Sequence, residues 1–464
     1  MNRTPTLPRA SHTGPAGAPA ALILALCVAL PLLIAVSWAL DDGPHLLWTG
    51  APAIVTLAAL TVFPLTRAAR REGPVLGRII LLGFVAKLLG TLARYAFTFS
   101  ASGADANSYN EEGARLAPFY RQFDFSPELG RKLIGTGFVR GFTGAVYAIF
   151  GTNRFVGSLV FACLAWWGLF FFYRAFRTAL PDGDAKRYAK LLFFLPSLVF
   201  WPSSIGKEAL MCFALGVAAL GVARILVFHR GGLALFLCGV AGAALIRPHV
   251  ALACFAAASG ALLLRRTRPG RGADPVSRTL LMLVLLIVGG TMLSRTASFF
   301  GVEGLDSESI EQIQTETNEQ TTQGGSSFTP VVVRTPLDVP LATITVLFRP
   351  FPHEADNLES FLASAETLVL LGVLAANWRR LRILPRTLAR SPYVLFAIVF
   401  AGLFVFGFSS IGNFGILARQ RTQALPFVLV ALAIPLRRPG RGVSASSTSL
   451  PTRGTAASWR ASRD

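Results

Sequence analysis

Asp105 stands in the stretch GADANSYNEEGARLA (103–117), where it is followed by Asn107, Tyr109, Glu111 and Glu112. A carboxylate placed this way can take the proton from an attacking hydroxyl as a general base. Further along the chain, single cations and imidazoles sit near the ends of apolar runs. They are Lys207 in FWPSSIGKEAL (200–210), Arg247 and His249 in IRPHV, Arg349, His353, Glu354 and Asn357 in FRPFPHEADN, and Arg419 and Arg421 in ARQRTQALPF. Lys207, Arg247, Arg349, Arg419 and Arg421 are of the type that holds a leaving phosphate and stabilises its developing charge. Asn107, Tyr109, His249, His353 and Asn357 suit the hydroxyls of a sugar, with Glu354 in the same substrate-binding group.

What must position these residues is a membrane-embedded helical scaffold. The chain has 464 residues, 53% of them hydrophobic and 15% charged, and a mean hydropathy of +0.55, too apolar for a soluble surface. Runs long enough to span a hydrocarbon core of ~30 Å as helix predict about twelve spans: 19–40, 47–66, 79–98, 154–174, 189–205, 208–227, 232–246, 249–264, 279–295, 359–377, 393–409 and 422–436. The expected fold is therefore an all-α integral membrane protein with one polytopic transmembrane domain, 19–436. The stretches 1–18 and 437–464, rich in Ser, Thr, Gly, Pro and Arg, are expected to be disordered cytoplasmic tails.

The net charge of +20 would suit a nucleic-acid partner if it lay on one face, but it alternates along the chain. Basic residues crowd the segments after the second, fourth, sixth, eighth and tenth spans, among them Arg67, Arg70, Arg71, Arg174, Arg177, Lys186, Arg187, Arg265, Arg266, Arg379, Arg380 and Arg382. This is the positive-inside pattern. It places both termini in the cytoplasm, makes membrane lipids the expected surroundings and removes the case for nucleic acid.

With that orientation the long loops 99–153 and 296–358 are both outside, and so is every candidate site residue named above. The apolar stretches 137–150 and 339–351 are too short to span and predict interfacial or re-entrant helices. In 301–336 a short amphipathic helix is expected, with Leu305, Ile310 and Ile313 as its apolar side. Within the third span Lys87 lies near the middle of the bilayer, where an unpaired charge costs about 3 kcal/mol. It needs a partner or a wet cavity; Arg94, seven residues on, shares its helical face, and Arg140 completes this possible cavity set.

Several chemistries are excluded. GTGFVRG misses the dinucleotide fingerprint, IGKEA follows Trp201 where a phosphate loop needs glycine, and HEADN ends on Asn357 where a zinc helix needs histidine. The five cysteines, Cys27, Cys163, Cys212, Cys238 and Cys254, all fall in predicted spans and read as small buried apolar residues. Neither a metal nor another cofactor is expected. An enzyme working outside cannot use cytoplasmic nucleotide sugars, so its donor is expected to be a polyprenyl-phosphate-linked sugar.

The order GADANSYNEEGARLA, GFTGAVYAIFGTNRFVGSLVFACLAWWGLFFFYRAF, AKRYAKLLFFLPSLVFWPSSIGKEAL resembles the first half of the GT-C superfamily of membrane glycosyltransferases. ARQRTQALPF is similar to the arginine-containing stretch that opens the last span in many bacterial members. The resemblance covers roughly residues 80–230 and, more weakly, the C-terminal piece. It implies that Asp105 is the general base, that Arg419 or Arg421 contacts substrate, and that the acceptor is a cell-envelope glycan, lipid or protein. The layout also resembles O-antigen polymerases and ligases, whose major outer loop ends near arginine and histidine, here Arg349 and His353. A lipid-linked saccharide transporter or flippase is the reading from another class. In FWPSSIGKEAL, Ser203 or Ser204 is expected to cap the following helix.

Overall fold

The computed structural model describes residues 45–100, 105–126, 133–264, 275–322, 326–355 and 358–436. The predicted first span 19–40, the two tails 1–18 and 437–464, Cys27 and Asn357 lie outside the described residues. Among those described there is no β-strand; Ser327 and Asn413 form a single antiparallel bridge. The regular structure of the described residues is all helical.

Among the described residues four helices are long and apolar enough to cross a membrane, and a fifth crossing arises if the bent pair 360–388 is one span. The first two are α1 (His45–Arg71) and α2 (Pro74–Ser100), joined by Glu72 and Gly73. Gly73 takes φ +83, the left-handed geometry that ends a helix at little steric cost for glycine, and Pro74 opens the next helix where its missing N–H is not needed. The other two are α5 (Arg154–Ala179) and α8 (Lys207–Leu226). Inside the protein α5 is 83% buried along its span and α1 only 35%. A helix apolar on all sides, as α5 is, belongs at the centre.

Between α2 and α5 lie α3 (Asp105–Arg121) and α4 (Thr136–Phe150), which pack side by side. The region around Asp105 is thus helix from Asp105 onward, and the stretch 137–150 is helical as α4. Arg121 donates to the carbonyls of Tyr147 (3.1 Å) and Ala148 (3.2 Å), near the negative end of α4. Between the two helices the Tyr147 hydroxyl meets Asn110 Oδ1 at 2.5 Å.

The predicted span 189–205 is not one helix. α6 (Ala185–Phe194), N-capped by the Asp184 carboxylate accepting from Arg187 N–H at 3.1 Å, stops at Leu195. Leu195 is extended because it precedes Pro196, and α7 (Pro196–Phe200) restarts for barely more than a turn. α8 then runs beside α5 and α9 (Gly232–Ile246), and these are the two most extensive helix contacts among the described residues. The reason is small residues. A Cβ on Gly168 of α5 would lie 2.4 Å from the Cys212 carbonyl, and one on Gly239 of α9 would lie 2.4 Å from Ala218 N. Backbones approach this closely only where side chains are absent.

The rest of the chain is α10 (Pro248–Leu263), α11 (Pro275–Phe300), α12 (Ser307–Thr322), α13 (Val339–Phe348), α14 (Leu358–Ala376), α15 (Trp378–Leu388), α16 (Pro392–Phe408), α17 (Phe414–Gln420), a 3₁₀ turn at Arg421–Gln423 and α18 (Leu425–Ala431). The expected helices over part of 301–336 and over 339–351 are α12 and α13. The predicted spans 232–246, 249–264 and 393–409 correspond to α9, α10 and α16, each of 15 to 17 residues. At 1.5 Å per residue these are about 22–26 Å long, short of a ~30 Å core. The predicted span 422–436 opens in the 3₁₀ turn Arg421–Gln423 and is α-helical only over Leu425–Ala431.

Candidate functional site

The starts of α3, α8 and α10, the end of α9 and the end of α17 meet at one end of the bundle. Asp105 is the first residue of α3, and its carboxylate faces Arg419 Nη1 of α17 at 3.6 Å, with the Asp105 side chain 71% exposed. Tyr109, one helical turn on, is buried and hydrogen-bonded to Thr136. Burial pushes its phenol well above the ordinary value, helped by the charges of Asp105 and Glu208, so it stays a neutral donor. Asn107 is half-buried on the same helix.

Lys207 and Glu208 open α8. Gly206 precedes them in extended geometry, and no side chain caps the helix. Ser203 instead donates to the Val199 carbonyl at 2.5 Å and Ser204 to the Ile205 carbonyl at 3.5 Å. The serine cap expected from the sequence is therefore absent. The Ser203 hydroxyl turns back onto α7 and the Ser204 hydroxyl onto the carbonyl of its neighbour Ile205, so neither serine reaches the first N–H groups of α8.

Arg247 joins α9 to α10 and is 8% exposed. Its Nη2 lies 3.3 Å from Glu208 Oε1, whereas its Nη1 is buried without a hydrogen-bond partner. A buried cationic donor left unmet carries a desolvation penalty. His249, two residues on, lies among the rings of Phe299, Phe300 and Phe408 at 5.4–5.9 Å, and its Nδ1 is likewise buried without a partner. Lys207 is in electrostatic reach of Arg247, Glu208, Asp105 and Arg419, and His249 of Arg247 and Lys207. The structure thus brings together Asp105, Tyr109, Lys207, Arg247, His249 and Arg419 from distant parts of the chain, with Glu208 as the acid that orients Arg247.

Arg349, His353 and Glu354 form a separate group on the flank of α17. Arg349 binds Glu354 through Nε at 2.9 Å and also through Nη2. The guanidinium lies 4.2 Å from the Phe328 ring and 5.2 Å from the Phe414 ring, while Phe328 and Phe414 stack at 4.3 Å. Burial alone would raise the Glu354 carboxyl; the Arg349 side chain and the Phe351 N–H outweigh it and hold the group below its ordinary range. His353 is exposed, its ring parallel to Phe351.

Arg421 is fully buried. Nη2 meets Glu366 Oε2 at 3.3 Å, and Nη1 reaches the carbonyls of Leu347 (3.4 Å) and Arg349 (3.3 Å). Glu366 also accepts from Ser197 N at 2.9 Å and from the Ser197 hydroxyl. The pair ties α14, α7 and the 3₁₀ turn that follows Arg419. Sequence reasoning missed Glu366, although a lone acid in LASAETLVLLG carries the same signal that singled out Lys87.

Lys87 and Arg94 share a face of α2, as expected, and that face packs on 196–201. The Lys87 ammonium donates to the Leu198 (3.0 Å) and Val199 (3.4 Å) carbonyls. Arg94 lies over the Phe200 and Trp201 rings at 5.1 and 4.7 Å. Carbonyls freed by the short helix α7 are thus the partner that the buried ammonium requires. Arg140 donates to the Ser108 hydroxyl at 2.9 Å, linking α4 to α3. Cys163, Cys212 and Cys254 are buried, but Cys238 is exposed on α9. Among the described residues no group of three His, Cys, Asp or Glu side chains could hold a metal ion.

Comparison with protein-family models, with curated proteins and with solved structures returns no match. The functional reading rests on the residues themselves.

Proposed function

We propose that this chain is a multi-pass cell-membrane glycosyltransferase of GT-C type, with about twelve spans and both termini cytoplasmic, whose reaction takes place on the extracytoplasmic face. The donor is a polyprenyl-phosphate-linked sugar and the acceptor a hydroxyl of a cell-envelope glycan, lipid or protein. The observation that carries this reading is Arg247, a buried guanidinium fixed on one side by Glu208 and left open at Nη1, beside the uncapped start of α8 and within reach of Lys207, which in turn is in reach of Asp105.

In this reading the donor phosphate is held by Arg247 Nη1, Lys207 and the first N–H groups of α8. The acceptor oxygen attacks the anomeric carbon, the bond from that carbon to the phosphate oxygen breaks, and polyprenyl phosphate leaves with the electron pair. Asp105 receives the acceptor's proton, and Arg419 orients its carboxylate. Neutral Tyr109, with Asn107 and His249, donates hydrogen bonds to the sugar. No step requires a metal.

Purified protein in proteoliposomes, supplied with a polyprenyl-phosphate sugar and a glycan acceptor, tests this reading. Lys207→Ala is expected to raise the donor KM about tenfold, the equivalent of ~1.4 kcal/mol of phosphate binding, with an unchanged melting temperature. An unchanged KM removes Lys207 from the phosphate site. The polymerase or ligase reading draws on Arg349 and His353, but Glu354 and two phenylalanine rings already engage Arg349. It therefore ranks second. A requirement for a pyrophosphate-linked oligosaccharide donor would reverse that order.

A further inference from the structure

The strongest unassigned charge lies at the opposite end of the bundle, on α15. This helix follows α14 after a bend of 71°, with Asn377 between them accepting a hydrogen bond from Arg187 Nη1 at 2.5 Å. Its sequence WRRLRILPRTL divides cleanly. Arg380 points into the protein, is 7% exposed, and bonds Asp184 at 3.0 Å and the Ile434 carbonyl. Leu381, Ile383, Leu384 and Leu388 pack against the core on that side.

Arg379, Arg382 and Arg386 follow one another at spacings of three and four residues, the intervals that place side chains in one row on a helix, and Arg390 continues the series in the turn just past the helix end. All four are exposed, and none forms an ion pair among the described residues. The Arg382 guanidinium lies 3.8 Å from the Trp378 ring at the start of the row, and Trp378 is itself 44% exposed.

We propose that this row is a binding site for the headgroups of anionic phospholipid. The bend lays α15 across the end of α14, so that where 360–376 crosses a bilayer α15 lies in the plane of its surface. Its apolar side is occupied by the protein and cannot enter the lipid tails, which leaves the guanidinium row for phosphate oxygens. Arg380 and the Arg187–Asn377 bond hold the helix in that attitude, so the row is preorganised. Trp378 adds the amphipathic ring that prefers the headgroup region. The inference needs α14 to be embedded in a membrane and is independent of the glycosyltransferase reading.

Purified full-length protein in nanodiscs of phosphatidylcholine, with and without phosphatidylglycerol, tests it. The readouts are melting temperature and the phosphatidylglycerol retained in native mass spectrometry. The wild type is expected to melt higher with phosphatidylglycerol, by several degrees, and to retain it. Combined Arg379→Gln, Arg382→Gln, Arg386→Gln and Arg390→Gln is expected to lose both effects. A control carrying Arg67→Gln and Arg70→Gln on α1, also exposed, is expected to keep them. The proposal is overturned if the wild type gains nothing from the anionic lipid, if the α15 variant gains as much as the wild type, or if the control loses the effect equally. Tighter binding of a soluble polyanion such as RNA than of phosphatidylglycerol would also overturn it.

Discussion

Glu208 and Arg247 face each other at 3.3 Å where the start of α8 meets the junction of α9 and α10. The pair uses one nitrogen of the guanidinium and leaves the second, Nη1, buried and unmet. Glu208→Gln should loosen the guanidinium without removing it. The expected outcome is a donor KM raised several-fold with a smaller fall in kcat, whereas Arg247→Ala should depress kcat/KM by at least two orders of magnitude if the phosphate depends on it. Steady-state kinetics of both variants at varied donor concentration decides this.

The buried Glu366–Arg421 pair makes a different prediction. Removing one partner leaves an uncompensated charge in the core, so Glu366→Ala should destabilise by about 3–5 kcal/mol. Replacing both by apolar residues of similar size, Glu366→Leu with Arg421→Met, should recover most of that loss. Denaturation in detergent micelles measures it. A double variant less stable than either single one would contradict the account, and retained transfer in the double variant would confirm Arg421 as a structural residue.

How much of this was legible in the sequence differs by residue. Helices over 137–150 and 339–351 were readable from apolar length alone, and Lys87 stood out as a charge needing a partner. Its partner was not readable. It depends on Pro196 breaking a predicted span and freeing the Leu198 and Val199 carbonyls, which hydropathy does not register. The cap expected from Ser203 or Ser204 failed for the same reason: the turn after α7 returns both hydroxyls to local carbonyls. Arg421 and Arg419 looked equivalent two residues apart, yet a helix-to-3₁₀ transition sends one into the core and the other toward Asp105.

Glu354 gives a pH dependence. Its carboxyl titrates below its ordinary value of 4.5 in the folded protein. The Arg349 contact therefore adds stability at pH above that value, and the contribution is lost as the pH falls through the folded pKa. Melting temperature followed from pH 6 to about pH 3 should fall more steeply for the wild type than for Glu354→Gln. Parallel curves would show that the contact contributes nothing.

Lys87→Met should be tolerated poorly for a reason unrelated to chemistry. It removes the donor to the Leu198 and Val199 carbonyls; Val199 keeps the Ser203 hydroxyl, so the Leu198 carbonyl is the buried acceptor that loses its side-chain donor, a cost of about 1–3 kcal/mol. The expected result is a lower melting temperature with an unchanged donor KM. A specific rise in KM would instead place Lys87 on the substrate path.

The central claim is that Asp105 accepts the proton. Its side chain is 71% exposed, and an exposed ion pair is worth about 0–1 kcal/mol, so Asp105→Asn should fold and melt like the wild type. Initial rates of sugar transfer from a polyprenyl-phosphate donor in proteoliposomes should then fall by about 10²–10⁴-fold at saturating donor, with donor binding preserved. Transfer within a few-fold of the wild-type rate would contradict the assignment of Asp105 as the base.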